Sequence, residues 1–362
     1  MNGPPRRFVH VFATFGAGGP QVRAVQLLAS LGPSHQHVVM AMDGRTEAAA
    51  MLRENVACEI VAPPPRRGFL ATVRTQAAWL REQRPDLVLT YNWGAIETAA
   101  AARRLSLPRV HHEDGFGPEE AQRPLRRRSW VRTLVLRKSP VIVPSRVLVR
   151  IAQEHWRLRP ERVLLLPNGV DLQRFRPAAP GQGTPVVGAV GGLRAEKDHE
   201  TLLVAVSRLA PQPRVRIVGG GVLAETLRSK AAALGLSQLV DFTGPVADTA
   251  PVYAGFSVFA LSSRTEQMPI ALLEAMACGL PVVATDVGDV RAILPPEQAP
   301  FVVPAADPDA LATALQRQLQ DGALRARLGA ANRRQVEANY EATTCLDRFV
   351  RVYESLLSRG PQ

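Results

Sequence analysis

The sequence predicts an α/β protein of two doubly wound domains, each a mostly parallel sheet covered on both faces by helices. Three observations predict it. Apolar strand-type runs alternate with helix-period segments along the chain, the alternation breaks once at a Pro/Gly-rich stretch and then restarts, and 362 residues suit two domains.

The first strand is residues 7–15 (RFVHVFATF), running into the turn Gly16-Ala17-Gly18-Gly19. Residues 21–31 then place Val22, Val25, Leu28 and Ala29 at helical spacing. A second strand is expected over 37–42, a helix over 46–54, and a buried strand over 86–91 (DLVLTY). An alanine-rich helix over 95–104 and short strands over 109–112 and 141–143 complete the first half. Three prolines and two glycines in residues 176–185 can continue neither a helix nor a central strand, so this stretch reads as the interdomain linker. Beyond it come strands 186–190, 214–218, 240–242, 258–261 and 282–284, with helices 199–209, 224–234 and 270–276, then a helical tail over 309–357. The expected division is 1–176, a linker at 177–185, 186–335, and a tail over 336–362 that crosses back to the first domain. The two Rossmann-like halves face each other across a central cleft.

Composition excludes several classes. Apolar residues make up 46% and charged residues 21%, which argues against disorder. Cys58, Cys278 and Cys345 are too scattered for a disulfide framework or a zinc site, so a reducing cytoplasmic compartment fits. No apolar run spans a bilayer and the N-terminus lacks a signal-peptide pattern, so a protein neither secreted nor membrane-crossing is expected. Residues 1–177 carry 27 basic against 14 acidic residues, whereas residues 178–362 carry 17 against 18. All the excess positive charge lies in the first half, which points to an acidic partner there or to an arginine-rich composition.

The chemistry concentrates in residues 262–285, SSRTEQMPIALLEAMACGLPVVAT. Pro269 suits the first turn of a helix, and the amides of Met268, Ile270 and Ala271 would point out of its start toward an anion. Glu266 precedes the helix and Glu274 lies inside it. Such a pair suits a phosphorylated sugar, with one acid for sugar hydroxyls and the other for a ribose. Without a ligand, Glu266 would face solvent and Glu274 would only compensate charge. Gly219-Gly220-Gly221 is a strand-to-helix turn of the kind that admits a nucleotide against bare backbone, with Gly219 and Gly221 as its candidate positions. A dehydrogenase is disfavoured because Gly16–Gly19 lacks the G-x-G-x-x-G order.

Residues 123–139, RPLRRRSWVRTLVLRKS, set Trp130, Val131, Leu134 and Val135 among six arginines and one lysine. On a helix, Arg126, Arg127, Arg128, Trp130 and Arg132 would suit an anionic membrane surface; the other reading packs the apolar stripe on the protein's own sheet. No nucleic-acid-binding module is present, so nucleic acid is not an expected partner.

Two glutamates separated by seven residues in TEQMPIALLEAMACGLPVVAT resemble the signature of the retaining glycosyltransferases of family 4, which have the GT-B fold. LLPNGVDLQRF (165–175), VGGLRAEKDHETLL (190–203) and VRIVGGGVLAETL (215–227) follow the family's order. The resemblance implies that Glu266 contacts the donor sugar and Glu274 the ribose. It makes Arg194 and Lys197 the cations at the leaving diphosphate, with Arg194 replacing an arginine that many members carry where this chain has Gly192. Gly18 and Gly19 would lie near the donor phosphates and the acceptor. In RVHHEDGFGPEE (109–120), His111, His112 or Asp114 would face the reacting sugar, while Tyr91, Asn92 and Trp93 would contact the acceptor.

The resemblance implies a metal-independent hexosyltransferase-like enzyme without a cofactor. It would use a UDP- or GDP-sugar as substrate and a lipid-linked, lipopolysaccharide or polysaccharide precursor as acceptor, and it would sit peripherally on the inner face of the cell membrane. A nucleotide-sugar epimerase of the same fold and a non-catalytic sugar-nucleotide or lipid-binding scaffold are the competing readings.

Overall fold

The computed structural model describes residues 5–16, 18–116, 120, 125–178 and 183–358. Ala17 of the first glycine turn, residues 117–119 and 121–124 in and after the histidine loop, and 179–182 of the expected linker lie outside the described residues. The chain forms two compact units, residues 1–168 with 344–362, and residues 169–343.

In the first unit the strands are β1 (Arg6–Phe12), β2 (His35–Ala41), β3 (Cys58–Val61), β4 (Leu87–Tyr91), β5 (Arg109–His112), β6 (Val141–Val143) and β7 (Val163–Leu165). They pair in parallel in the order β3-β2-β1-β4-β5-β6-β7. The central strands are buried on both faces, as continuous apolar runs such as LVLTY require. Helix Gly19–Leu31 buries Ala24, Val25, Leu27, Leu28 and Leu31, a face turned from the one its spacing suggested, because Gln21 and Arg23 also turn inward. The expected helix over 46–54 is a short 3-10 turn, Glu47–Met51. Helices Phe69–Gln83 and Arg146–Glu154 and strands β3 and β7 are not among the expected elements; Arg146–Glu154 does carry a signal, a strongly amphipathic run capped by Ser145, whose hydroxyl accepts from the Leu148 amide. The buried face of Phe69–Gln83 includes the polar Thr72 and Gln76, and β3 is a half-exposed edge.

The chain leaves the first unit after Asn168, ahead of the expected boundary at 176. Val170 and Phe175 are buried in the second unit's core, so the Pro/Gly-rich stretch lies within that unit. The strands here are β8 (Val186–Val190), β9 (Arg214–Val218), β10 (Val240–Gly244), β11 (Val258–Leu261), β12 (Val282–Thr285) and β13 (Val302–Val303). Their order, β10-β9-β8-β11-β12-β13, reverses direction of growth between β8 and β11, as the first sheet does between β1 and β4. The tail is helical, as expected, and consists of three helices. Asp321 caps Gly322–Asn339 by accepting from the Leu324 amide, and the chain breaks again before Ala342–Ser358. Phe349 and Tyr353 of the last helix are buried in the first unit with Phe8, Phe12 and Leu87. Among the described residues no helix is long and apolar enough to cross a membrane.

The first unit buries uncharged histidines. His10 Nε2 lies 3.0 Å from His37 Nδ1, and His10 Nδ1 lies 3.1 Å from the Tyr91 hydroxyl. Burial, then the neighbouring imidazole of His37, holds His10 well below the usual range; burial, then His35, pushes His37 down to about 4. Unfolded histidines titrate near ~6.5, so the unfolded state binds more protons below that pH. The stability these groups contribute is complete above about 6.5 and is lost as pH falls toward 4, with His37 alone worth on the order of 3 kcal/mol. All four tryptophans (Trp79, Trp93, Trp130 and Trp156) belong to the first unit, so their fluorescence reads it alone. The urea midpoint by tryptophan fluorescence is expected to fall steadily from pH 7 to pH 4.5; a flat profile would refute the buried neutral histidines.

Candidate active site

The second unit gathers its polar loops at the carboxyl ends of β8 and β11, where the sheet order reverses and a crevice is expected in such folds. After β8 the chain forms Gly191, Gly192 and a short turn over Ala195–Lys197, then helix His199–Ser207. Asp198 caps that helix, with its carboxylate accepting from the Thr201 amide at 3.4 Å and hydroxyl at 2.8 Å. The loop after β11 is tied to it at three points. The Ser262 hydroxyl donates to the Lys197 carbonyl at 3.1 Å, the Arg264 amide to the Glu196 carbonyl at 2.9 Å, and the Arg264 guanidinium to Asp198 at 2.8 Å.

These ties bring Lys197 and Glu266 together. Lys197 Nζ is 2.5 Å from Glu266 Oε1, and the Ser263 hydroxyl donates to the same oxygen at 2.7 Å. Both side chains keep an exposed edge, 21% for the lysine and 10% for the glutamate. Arg194 is exposed and lies 3.1 Å from Glu196. Its Nε stands 3.0 Å from where a β-carbon on residue 192 would be, so the guanidinium fills the space that Gly192 leaves empty.

Pro269 caps helix Ile270–Ala277 from an extended conformation, one position outside the turn expected for it. Met268 is buried, while Ile270 and Ala271 are half-buried. Glu274 lies on the helix with the Tyr253 hydroxyl donating to its Oε2 at 2.6 Å. Burial lifts the Glu274 carboxyl to about 7, against the lowering effects of the Tyr253 bond and Arg174. Gly219 and Gly221 have φ of +144° and +159°, and a β-carbon on either would meet the Gly191 carbonyl at 2.0 Å or the Leu193 carbonyl at 2.4 Å. They are glycines because this turn packs directly on the 191–193 backbone.

In the first unit the corresponding loops are held by Arg23, which the sequence did not single out. Its guanidinium binds both Asp114 oxygens at 2.6 and 2.9 Å and the Asn168 side-chain oxygen at 2.8 Å, and it lies over the Phe349 ring. Asn92 accepts from the Asp114 amide at 2.7 Å. Gly18 and Gly19 open helix Gly19–Leu31 and are partly exposed, as are Asn92 and Trp93.

Several expected positions need correction. His112 does not offer its ring to a ligand. It is fully buried, stacked on Tyr91, with Nε2 3.0 Å from the Tyr353 hydroxyl, and burial, then Arg23, keeps it well below the usual histidine range. His111 is buried with Nδ1 2.8 Å from the Thr90 hydroxyl, and Tyr91 is buried against Phe12. The Asp114 carboxylate, 4% exposed, is taken by Arg23 rather than presented to a sugar. Arg132 is not a surface cation: on helix Arg126–Leu136 it is fully buried, bonded to Glu113 and Glu120 and flanked by Trp93 and Trp156. Arg128 pairs with Glu120 at 3.3 Å. The stripe of that helix is split, with Val135 buried and Trp130 67% and Leu134 44% exposed beside the exposed Arg126 and Arg127.

Ser263, Tyr253, Arg23 and Asn168 are the side chains sequence reading passed over. Ser263 and Asn168 stood inside the quoted motifs. Tyr253 and Arg23 carried no signal, since only packing sets them against Glu274 and Asp114.

Two sheets of the 3-2-1-4 order, each with its polar loops at strand carboxyl ends, define the class of paired Rossmann-like proteins. Residues 17–174 match the family described as Glycosyltransferase Family 4, and residues 184–321 match Glycosyl transferases group 1. A GDP-mannose-dependent alpha-(1-6)-phosphatidylinositol monomannoside mannosyltransferase of Mycolicibacterium smegmatis is 31% identical over 292 residues, 74% of this chain and 73% of that protein. A GDP-mannose-dependent monoacylated alpha-(1-6)-phosphatidylinositol monomannoside mannosyltransferase of Corynebacterium glutamicum is 32% identical over 214 residues, 52% of this chain. This chain spans 55% of the length of that relative. The structure of Anabaena HepE in complex with UDP-glucose superposes with a TM-score of 0.84 at 19% identity, covering 96% of this chain and 99% of that one. The chain belongs to glycosyltransferase family 4, with the GT-B fold.

Breaking the buried Arg23–Asp114 pair strands a carboxylate out of water, which typically costs about 3–5 kcal/mol. Arg23→Met is therefore expected to lower stability by that order in urea unfolding. Arg216→Met, which breaks a pair with Asp241 that is exposed on both sides (43% and 55%), is expected to cost under about 1 kcal/mol. Equal losses in the two variants would overturn the central place given to Arg23.

Proposed function

We propose that this protein transfers a sugar from a UDP- or GDP-sugar to a glycolipid, lipopolysaccharide or polysaccharide precursor, with retention of anomeric configuration and without a metal. The observation that carries the reading is the Lys197–Glu266 contact at 2.5 Å, an acid and a cation joined at the carboxyl ends of adjacent parallel strands. The names of the similar mannosyltransferases, which act on phosphatidylinositol mannosides, support a lipid-linked acceptor.

In this reading Glu266, oriented by Ser263, takes hydroxyls of the donor sugar. Glu274, oriented by Tyr253, takes the ribose, and Met268, Pro269, Ile270 and Ala271 form the wall and helix start beside the phosphates. As the glycosidic bond breaks, negative charge grows on the leaving diphosphate. Lys197 and Arg194 lower the barrier by meeting that charge with cations already in place. By family resemblance the acceptor attacks from the leaving-group side and the departing phosphate takes its proton. No enzyme nucleophile is then needed, which accords with the enclosed His112 and the occupied Asp114. Asn92, Trp93, Gly18 and Gly19 remain the candidate contacts on the first unit. The exposed Trp130, Leu134, Arg126 and Arg127 support a peripheral position on the inner face of an anionic membrane.

Transfer assays over a panel of UDP- and GDP-sugars, with product anomeric configuration read by proton coupling, test the reaction. Glu274→Ala is expected to raise the donor KM with little change in kcat, and Glu266→Ala mainly to lower kcat. Unchanged kinetics in both variants would overturn the donor-site assignment. Product formed without a second substrate would favour the epimerase.

Lys197→Ala is expected to lower turnover by roughly 10²–10³, by comparison with loss of one preorganised charge-stabilising donor. Arg194→Ala should cost less, since that side chain is 58% exposed and shares its charge with Glu196. Rates at saturating donor decide between them. A greater loss at Arg194 would show that the cation over Gly192 carries the main role.

A further inference from the structure

Five cations, Arg137, Lys138, Arg157, Arg159 and Arg162, line one depression of about 550 Å³ in the first unit. Arg137, Lys138, Arg157 and Arg159 are exposed and Arg162 half-buried. Arg159 lies 3.9 Å from Glu161, and both of those side chains stand well out in solvent. Like charges drawn into a concavity repel one another, and their fields add inside it. Such an arrangement is costly to the free protein and favourable once an anion enters.

A further observation marks this as more than scattered surface charge. Beneath the group lies Arg109, bonded to the Ser139 hydroxyl at 2.8 Å and the Lys138 carbonyl at 3.3 Å. Burial first, and then the charges of Arg103 and Arg162, push that guanidinium down to about 10.

The location separates this depression from the first unit's active-site loops. Lys138 and Arg162 stand just before β6 and β7, and Arg109 begins β5. Asp114 and Asn168 follow the opposite, carboxyl ends of these parallel strands. The cations therefore gather at the far end of the sheet from the loops that Arg23 holds.

We propose that Arg137, Lys138, Arg157, Arg159 and Arg162 form a second, non-catalytic binding site for a phosphate-bearing anion. Forked guanidiniums and an ammonium around one concavity match the several oxygens of a phosphomonoester or pyrophosphate. The same chemistry is offered by an anionic lipid headgroup and by a free phosphorylated small molecule. The site stands independently of the transferase reading, because it uses none of the residues assigned to donor or acceptor.

The test measures inorganic pyrophosphate by calorimetry in a Lys197→Ala/Arg194→Ala background, where the donor-phosphate cations are absent. Saturable binding is expected, weakened roughly tenfold or more by adding Arg137→Gln/Arg159→Gln. Adding Arg74→Gln/Arg81→Gln, which removes the same charge from exposed positions on helix Phe69–Gln83, is expected to leave it unchanged. Sedimentation of the otherwise wild-type protein with phosphatidylcholine vesicles, with and without phosphatidic acid, identifies the source. Capture that needs phosphatidic acid, falls in Arg137→Gln/Arg159→Gln and is competed by pyrophosphate assigns a lipid headgroup. Pyrophosphate binding with vesicle capture indifferent to those substitutions assigns a free phosphorylated molecule. Equal effects of the two charge-removing pairs on pyrophosphate, or no saturable pyrophosphate binding, would overturn the site. Retention of an RNA oligomer without pyrophosphate binding would overturn it in favour of nucleic acid.

Discussion

The parallel pairing of β8 with β11 is the constraint on which the candidate site depends. Val258 lies beside Val187 and Phe259 beside Gly188, so the two strands end together and release their loops at one edge of the sheet. Chain segments about seventy residues apart then meet, and Lys197 reaches Glu266 at 2.5 Å. Side chain and backbone ties from Ser262 and Arg264 hold the loops in register, so the ion pair is positioned by packing rather than by its own modest attraction. A partly exposed pair of this kind can exchange partners when a charged ligand arrives, whereas a fully buried one could not do so cheaply.

The first unit meets the same topological problem in another way. Its loops at the carboxyl ends of β4 and β5 meet the Asn168 segment around a single buried guanidinium, with Arg23 binding Asp114 and Asn168 and covering Phe349. Behind that contact run His112, Tyr91, Tyr353 and His10, all buried. The imidazoles of His10 and His112 stay neutral because burial disfavours their charged forms. Ionisable residues near a site are thus not all available to it. Those bonded to the core set the shape of the loops, and the chemistry falls to residues that retain an exposed edge.

Positive charge in the first unit is likewise sorted by packing. Arg132 and Arg23 are internal, each with its carboxylate partner, so they do not belong to any surface field. What remains outside is spread over many exposed arginines, with local groups at the amino-terminal end of β6 and β7 and along the outward face of helix Arg126–Leu136. The excess of basic residues in residues 1–177 is therefore two structural populations, one cementing the core and one facing solvent.

By itself the sequence determined the alternation of strands and helices, two sheets, and the motifs that carry Glu266, Glu274, Arg194 and Lys197. Apolar runs and glycine turns are local signals, and β5, β6, β8, β9 and β11 coincide with them residue for residue. Tertiary structure alone decided which face of each polar residue is used. Nothing in RVHHEDGFG distinguishes a histidine stacked on Tyr91 from one facing a ligand, because β5 is buried on both sides and only its neighbours show it. The arginine stripe at 126–137 has helical spacing whichever way it turns, and Glu113 and Glu120, distant in the periodicity, draw Arg132 inward. The unit boundary at Asn168 and the return of the chain at Thr344 follow from where Val170, Phe175, Phe349 and Tyr353 are buried. Long-range burial is a property of the folded chain, and short-range periodicity cannot encode it.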